Sequence, residues 1–238
     1  MARGQKGFQL EADGRVLLLE GNDELRFFQA AFKPWGLDEK VQRHEWGGER
    51  DRLGALLGLI SDDPHRATLK ALAIVRDAEQ SAASELQSVQ GHLRKWGFPV
   101  PDTVGEWKVQ GGLRVGVLLM PGRGRDKGCF EDLLLESVPA GHAAMKCVEG
   151  FMECIMALPD KKALPENRGD APDEAREVYR PKNLSKAKLQ AFLAATHENR
   201  RLPGEAAQKG VWDFEAPCFQ ELRRFLAPLK LTDGPPAA

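Results

Sequence analysis

The chain has 238 residues, 42% of them hydrophobic and 29% charged, which is enough apolar material for one large domain or two small ones. A formal net charge of -1 excludes a globally basic nucleic-acid binder, so any contact with a polyanion must come from a local patch. The four cysteines lack the paired spacing of a structural zinc site. No apolar run is long enough for a secretory signal or a membrane span, so the sequence predicts a cytoplasmic protein with no membrane partner.

The first 140 residues alternate between short apolar runs and amphipathic stretches. Four apolar runs are predicted to be strands, with the second near an edge: residues 16–19, 41–46, 69–75 and 113–120. Apolar residues at helical spacing follow each run, and the third helix is expected to carry a capping box at Ser84 and Gln87. This alternation predicts an α/β fold with right-handed βαβ units, a mostly parallel sheet and flanking helices.

From about residue 141 the pattern is helical. A stripe of Ala144, Val148, Phe151, Ile155 and Leu158 predicts one helix. Two more helices are predicted at residues 186–196 and 217–229, and a long loop or partly helical excursion at 159–181. The chain is therefore divided into an α/β core (1–140), a C-terminal helical elaboration packed on it (141–232) and a disordered tail (233–238).

Carboxylates follow two of the predicted strands. Glu20 ends the first run, and Asp77 and Glu79 end the third. The carboxyl ends of parallel strands meet at one edge, where such sheets bind their ligands. On extended backbone, side chains at i and i+2 point the same way. Three carboxylates gathered there repel one another unless a cation neutralises them, and oxygen ligands favour Mg²⁺ or Mn²⁺ over zinc. The alternative is that each acid caps a helix or faces solvent.

Two further features fall at the same edge. Asp23 and Glu24 occupy the first turn of a helix, so Asp23 is either a second metal ligand or a favourable charge on the helix dipole. The turns at the site are provided by Gly21, Gly47 and Gly48.

The glycine-bearing loop at residues 121–128 carries Arg123, Arg125 and Lys127. We interpret it as a flexible turn beside the acidic site, whose three cations either contact substrate phosphates or are simply solvated. Its glycine spacing, G-x-G-x-x-x-G, departs from the dinucleotide-binding pattern, and there is no Walker lysine motif.

The combination of these motifs resembles the Toprim domain of topoisomerases, primases and overcoming-lysogenization-defect nucleases. The resemblance rests on Glu20-Gly-Asn-Asp-Glu24, the Gly47-Gly48 turn and Asp77-Ala-Glu79, and it covers about residues 14–138. It is strongest to a bacterial family of small Toprim-like proteins, which share the glycine-bearing loop and the helix start at Glu131-Asp-Leu133.

The resemblance implies a magnesium-binding core. It assigns acid–base chemistry or metal binding to Glu20 and metal binding to Asp77 and Glu79, with Asp23 and Glu131 as ligands of a second metal. Two departures stand out: Glu79 replaces the usual second aspartate, and Asn22 stands where relatives often carry lysine.

The predicted function is divalent-metal-dependent phosphodiester chemistry on nucleic acid, of nuclease or nicking type, with Mg²⁺ or Mn²⁺ as cofactor. Topoisomerase action is disfavoured because the single tyrosine, Tyr179, lies in a charged, proline-flanked stretch. The alternative is a catalytically weak Toprim-like binding module that works with a protein partner in a larger assembly, such as a defence or toxin system. The near-neutral charge and Glu79 favour this alternative.

Overall fold

The computed structural model describes residues 8–11, 14–37, 40–48, 50–158, 180–197 and 202–230. The loop prediction for residues 159–179, Tyr179 and the tail prediction for 233–238 therefore lie outside the described residues. In the described ranges, no helix is long and apolar enough to cross a membrane.

The described chain forms one five-stranded sheet with helices on both faces, which confirms the α/β class, the mostly parallel sheet and the C-terminal helical region. The strands are β1 Arg15–Leu19, β2 Gln42–Glu45, β3 Ala71–Asp77, β4 Trp107–Gln110 and β5 Leu113–Met120. The helices are α1 Asn22–Phe32, α2 Arg50–Asp62, α3 Ala82–Lys95, α4 Phe130–Glu136, α5 Ala143–Met156, α6 Leu184–Thr196, α7 Pro203–Gln208 and α8 Gln220–Leu226.

The strand order is β2-β1-β3-β5-β4, with all pairs parallel except β4 against β5. The predicted edge position of β2 is confirmed. Strand β4 was missed because it is short and mostly exposed, so it lacks an apolar run. It is anchored by Trp107, which stacks on Phe225 and donates from Nε1 to the Phe225 carbonyl at 3.0 Å. Gly116 opposite leaves room for this indole.

The central strands are buried on both faces, which explains their continuous apolar sequences. In β1, Leu17 and Leu19 join the core on one face, while Val16 and Leu18 join the core on the other. The first core is closed by α1 and the C-terminal helices α4 to α8, and the second by α2 and α3. The C-terminal region therefore completes one of the two helical layers that cover the sheet.

The sheet has a topological switch point between β1 and β3. The chain leaves β1 to one side to form β2, and then crosses to the other side to form β3. The helix after β1 and the helix after β2 consequently lie on opposite faces. The carboxyl ends of β1 and β3 open into this crevice, which is where such sheets bind ligands.

Three local predictions need correction. The cap of α3 is Ser81, whose side chain accepts from the Ser84 amide at 3.3 Å, so the Ser84–Gln87 box is wrong. In α5 the buried residues are Val148 and Met152, while Phe151 is 52% exposed. Helix α7 was missed because six residues give too little periodicity to detect.

Candidate functional site

Asp77 is the last residue of β3 and is only 4% exposed. Its Oδ1 accepts a hydrogen bond of 2.8 Å from the Phe130 amide, at the first turn of α4. The described residues supply no donor to Oδ2. A buried carboxylate with one free oxygen is expensive unless another group binds it.

Glu20 follows β1 and meets Asp77 across the switch point. Its Oε2 accepts from the Asp77 amide at 3.1 Å and lies 3.7 Å from Nε of Arg76. Arg76 is 4% exposed and pairs through Nη2 with Oε2 of Glu85 in α3 at 2.7 Å. Arg76 thus links one acid of the site to the helix layer behind the sheet.

Glu24 and Glu131 complete the acidic site, which we define as Glu20, Glu24, Asp77 and Glu131. Glu24 lies in the first turn of α1 and Glu131 in the first turn of α4. Oε1 of Glu131 is 3.8 Å from Nζ of Lys186 in α6. Its Oε2 is buried and has no hydrogen-bond partner among the described residues. Three segments of the chain, the β1–α1 turn, the end of β3 and the start of α4, therefore bring acids to one place.

The pKa values of Glu20, Glu24 and Asp77 are raised. Burial raises the pKa of Glu24 from 4.5 to about 7, with Glu131 and Glu20 adding to the effect. Burial, together with Glu24, Glu20 and Glu131, raises the pKa of Asp77 well above its usual value. Burial also raises the pKa of Glu20, although the Asp77 amide and Arg76 oppose the change. Burial would lower the pKa of Lys186, but Glu131 and Asp77 raise it overall. Burial and the repulsion among the acids thus have a larger effect on these pKa values than the neighbouring cations.

A sulfur atom lies beside these carboxylates as another possible metal donor. An oxygen of Asp77, Sγ of Cys129 and an oxygen of Glu131 lie within 4.8 Å of one another. Two ionised carboxylates at that distance repel each other by about 3.5 kcal/mol at an effective dielectric constant of 20. A divalent cation would bind to the carboxyl groups of Asp77 and Glu131 and would neutralise this repulsion. The donor set therefore fits a metal ion.

Two predicted ligands are placed differently from the expectation. The extended backbone ends at Asp77, and Glu79 has φ +50, is exposed, and forms an antiparallel bridge with Gly128. The side chain of Glu79 is therefore exposed whereas that of Asp77 is buried, although Glu79 still raises the pKa of Glu20. Asp23 points toward α7, where its Oδ1 accepts from the Gly204 amide at 3.2 Å.

The turn glycines lie where the sequence suggested. Gly47 and Gly48 have φ of +82 and +74, a region that favours glycine. The Gly47 amide donates to the Glu20 carbonyl at 2.9 Å, so the turn extends the β1–β2 pairing up to the site. A Cβ on Gly21 would lie 2.8 Å from Oε2 of Glu24, which shows how closely that carboxylate packs on the turn.

The loop at residues 121–128 is tied down at several points. The Glu79–Gly128 pair is hydrogen-bonded in both directions, at 2.8 and 2.9 Å, and the Ala82 amide donates to the Asp126 carbonyl at 2.7 Å. Arg123 donates from Nη2 to the Gly105 carbonyl and lies 3.7 Å from Glu221. The loop is therefore anchored to the β3–α3 turn and to the C-terminal helices.

A groove of about 630 Å³ separates this loop from the start of α6. The cations on its walls are Arg125, Lys127 and Lys182. Arg125 is paired with Glu136 at 2.7 Å, whereas Lys127 and Lys182 make no ion pair with the described part of the chain. Acids also line the groove: Glu79, Asp132 and Glu136. Cys129 lines it too, so the groove adjoins the acidic site.

Sequence reasoning missed several residues that belong to this site. Glu24 was left as a helix-start acid, although its i+4 spacing from Glu20 returns it to the same turn of chain. Cys129 and Lys186 were not among the predicted site residues. No local signal identifies Arg76, because its role depends on the meeting of β1, β3 and α3.

The fold and site define a three-layer α/β protein with an acidic centre at the switch point of its sheet. The chain belongs to the family described as "Protein of unknown function (DUF3226)", whose family model matches residues 14–230. That match includes every strand and the whole acidic site. Comparisons with curated proteins and with solved structures gave no match.

Proposed function

We propose that the acidic site binds a divalent cation and supports metal-dependent phosphodiester chemistry on nucleic acid, in a Toprim-like manner. The observation that carries the proposal is the convergence of Glu20, Glu24, Asp77 and Glu131 at the switch point of the sheet. A purely structural role for four buried or half-buried acids would require matching cations. Arg76 is shared with Glu85, and Lys186 is 48% exposed, so the surplus charge is negative.

In this proposal Asp77, Glu131 and Glu24 hold the cation, with Mg²⁺ or Mn²⁺ as the ions that oxygen donors favour. When bound, the cation stabilises negative charge on the phosphate and lowers the pKa of water. Glu20 accepts a proton from the attacking water, because its carboxylate is fixed by the Asp77 amide and Arg76. Lys186, half exposed beside Glu131, contacts a phosphate oxygen.

The groove supports the nucleic-acid part of the proposal. Lys127 and Lys182 stand on its walls without an ion pair in the described ranges, so they remain available to phosphates. Arg125 contributes only if it leaves Glu136, and Arg123 is engaged by Gly105 and Glu221. The proposed phosphate contacts therefore shift from the arginines of the loop toward the two lysines.

A second function is a catalytically weak Toprim-like binding module that acts with a protein partner. The placement of Glu79 favours it: an exposed acid on left-handed backbone leaves the site with fewer ligands than an Asp-x-Asp pair would supply. A measurement of activity distinguishes the two functions, because a binding module binds its partner but hydrolyses no phosphodiester.

Metal binding is tested by thermal unfolding with Mg²⁺ or Mn²⁺. A ligand at 100 times its dissociation constant stabilises by about 2.7 kcal/mol, which raises Tm by roughly 5–10 °C in a chain of this size. Asp77→Asn should abolish the shift. The matched control is Asp102→Asn, because Asp102 is 75% exposed and paired with Lys108. A wild-type Tm that does not change with either ion would contradict the proposed site, and so would an equal shift of Tm in Asp77→Asn.

Catalysis is tested by nicking of supercoiled plasmid with Mn²⁺. Glu20→Gln should lose nicking while keeping most of the thermal shift, because the change removes a proton acceptor and preserves shape. Nicking that persists equally in Glu20→Gln and Asp77→Asn preparations would assign the activity to a contaminant or to another site.

The groove is tested by binding of a labelled oligonucleotide in EDTA at several salt concentrations. Lys127→Ala/Lys182→Ala should weaken binding and flatten the log–log salt slope by about 1 to 2, since each phosphate contact contributes about 0.7–0.9. Lys108→Ala, which removes an exposed ion-paired lysine, is the control. An unchanged slope in the double variant rules out the groove and leaves the acidic site untouched.

A further inference from the structure

We propose that Cys129 supplies a sulfur ligand to the cation at the acidic site, so that the site selects a thiophilic transition-metal dication of the Zn²⁺ or Co²⁺ type over Mg²⁺. The inference rests on the metal site proposed above. It goes further because it changes the donor set from oxygen alone to oxygen and sulfur.

The geometry suits a mixed donor set. In tetrahedral zinc coordination, bonds of about 2.3 Å to sulfur and 2.0–2.2 Å to oxygen place two ligands of one ion about 3.4–3.6 Å apart. Sγ of Cys129 and the oxygens of Asp77 and Glu131 already lie within 4.8 Å of one another. The three donor atoms therefore need to approach one another by up to about 1 Å to close the site around one ion.

Independent observations show that the surrounding groups are ready for such a ligand. Asp77 is 4% exposed with no donor to its Oδ2 from the described residues, and Oε2 of Glu131 is buried without a hydrogen-bond partner there. Cys129 itself is 3% exposed, which keeps it away from competing reactions. A free oxygen of Glu131 and the thiol of Cys129 thus lie close to the buried carboxyl group of Asp77.

The neighbours of the sulfur also fit coordination. Nδ2 of Asn183 donates to Sγ at 3.6 Å, the kind of outer contact that supports a metal-bound thiolate. The thiol donates a hydrogen bond of 3.3 Å to Oδ2 of Asp132. On binding, the thiol proton passes to solvent and a sulfur–metal bond forms. Asp132 then still accepts from the Cys129 amide at 2.8 Å and from Ser185.

Softness decides the choice of ion. Mg²⁺ takes oxygen donors in near-ideal octahedral geometry and has little affinity for sulfur. Thiolate favours Zn²⁺ and Co²⁺, and affinity at a given site rises from Mn²⁺ through Co²⁺. A site with Cys129 should therefore bind Co²⁺ or Zn²⁺ at least about tenfold more tightly than Mg²⁺.

The test is a titration of the full chain, kept reduced, with Co²⁺ as the probe. A thiolate ligand gives a sulfur-to-cobalt charge-transfer band in the near ultraviolet, beside the visible bands that any protein-bound Co²⁺ shows. The expected result is both sets of bands in the wild type. Cys129→Ser, which preserves size and polarity, should lose the ultraviolet band and at least about tenfold in Co²⁺ affinity.

A second variant tests the sulfur ligand without any change at Cys129, so its result does not depend on the folding of Cys129→Ser. Cys147→Ser/Cys154→Ser/Cys218→Ser removes the other cysteines, which are exposed or half-buried, and should keep the ultraviolet band. Visible bands without the ultraviolet band in wild type would overturn the sulfur ligand and leave the oxygen site standing. An ultraviolet band lost in the triple variant would assign it to another cysteine and overturn the proposal. No response to Co²⁺, Mg²⁺ or Mn²⁺ would remove the metal site itself.

Discussion

Glu24→Gln gives the sharpest test of the electrostatics of the acidic site. The carboxylate of Glu24 lies against the turn at Gly21 and close to Glu20, Asp77 and Glu131, and burial raises its pKa to about 7. The folded chain therefore holds a proton at Glu24 that the unfolded chain releases near its ordinary pKa. Glutamine keeps the shape and cannot ionise.

The magnitude follows from the pKa difference. A rise from 4.5 to about 7 makes ionised Glu24 destabilising by about 3 kcal/mol at pH values above 7. Because the folded pKa is the higher one, wild-type stability falls as pH rises from about 4.5 to 7 and is level above that. Without metal, Glu24→Gln should match the wild type near pH 4.5 and be more stable by up to about 3 kcal/mol at pH 8.

The assay is urea unfolding in EDTA, followed by circular dichroism at a series of pH values from 4.5 to 8.5. Glu153→Gln, at an exposed position on α5, is the matched control and should parallel the wild type. A stability difference between Glu24→Gln and wild type that is the same at pH 5 and pH 8 would refute the electrostatic reasoning. A saturating divalent cation should reduce the stability difference at pH 8, because it stabilises the ionised site of the wild type more strongly than that of the variant.

Two further predictions concern stability. Gly204→Ala should destabilise by about 1–3 kcal/mol, because the new Cβ would lie 2.7 Å from the Asp23 carbonyl oxygen and force α7 away from α1. Gly150→Ala on open α5 should instead stabilise by about 0.5–1 kcal/mol, and urea unfolding at pH 7 compares the two. Arg76→Leu should destabilise by about 3–5 kcal/mol, because it removes the buried cation that pairs with Glu85 and faces Glu20. Arg76→Leu/Glu85→Leu should regain most of that loss, and equal instability of the single and double variants would contradict the pairing.

Much of the fold could be predicted from the sequence because the central strands are buried on both faces. Continuous apolar runs, such as the one that became β1, carry a strong signal, and their alternation with amphipathic helices fixes a parallel sheet. Strand β4 carries no such signal. Its stability comes from Trp107 packing on Phe225, a contact across 118 positions that no local window contains.

The candidate site was predicted in part, for a related reason. Acids at the ends of buried strands must lie at the carboxyl edge of the sheet, so Glu20 and Asp77 could be paired from the sequence. Glu79 shows the limit of the rule. Two residues beyond the strand, its direction is set by the φ of a single residue and by its bridge to Gly128.

The sequence alone determined the class of fold, the order of its main elements and the two acids that meet at the switch point, because these follow from burial and strand polarity along short stretches of chain. Only the tertiary structure decided which other groups join them. Glu24, Cys129 and Lys186 lie at the starts of three helices, and the distances among their side chains depend on how those helices pack. Packing sums many weak contacts between distant residues, so no local pattern encodes it.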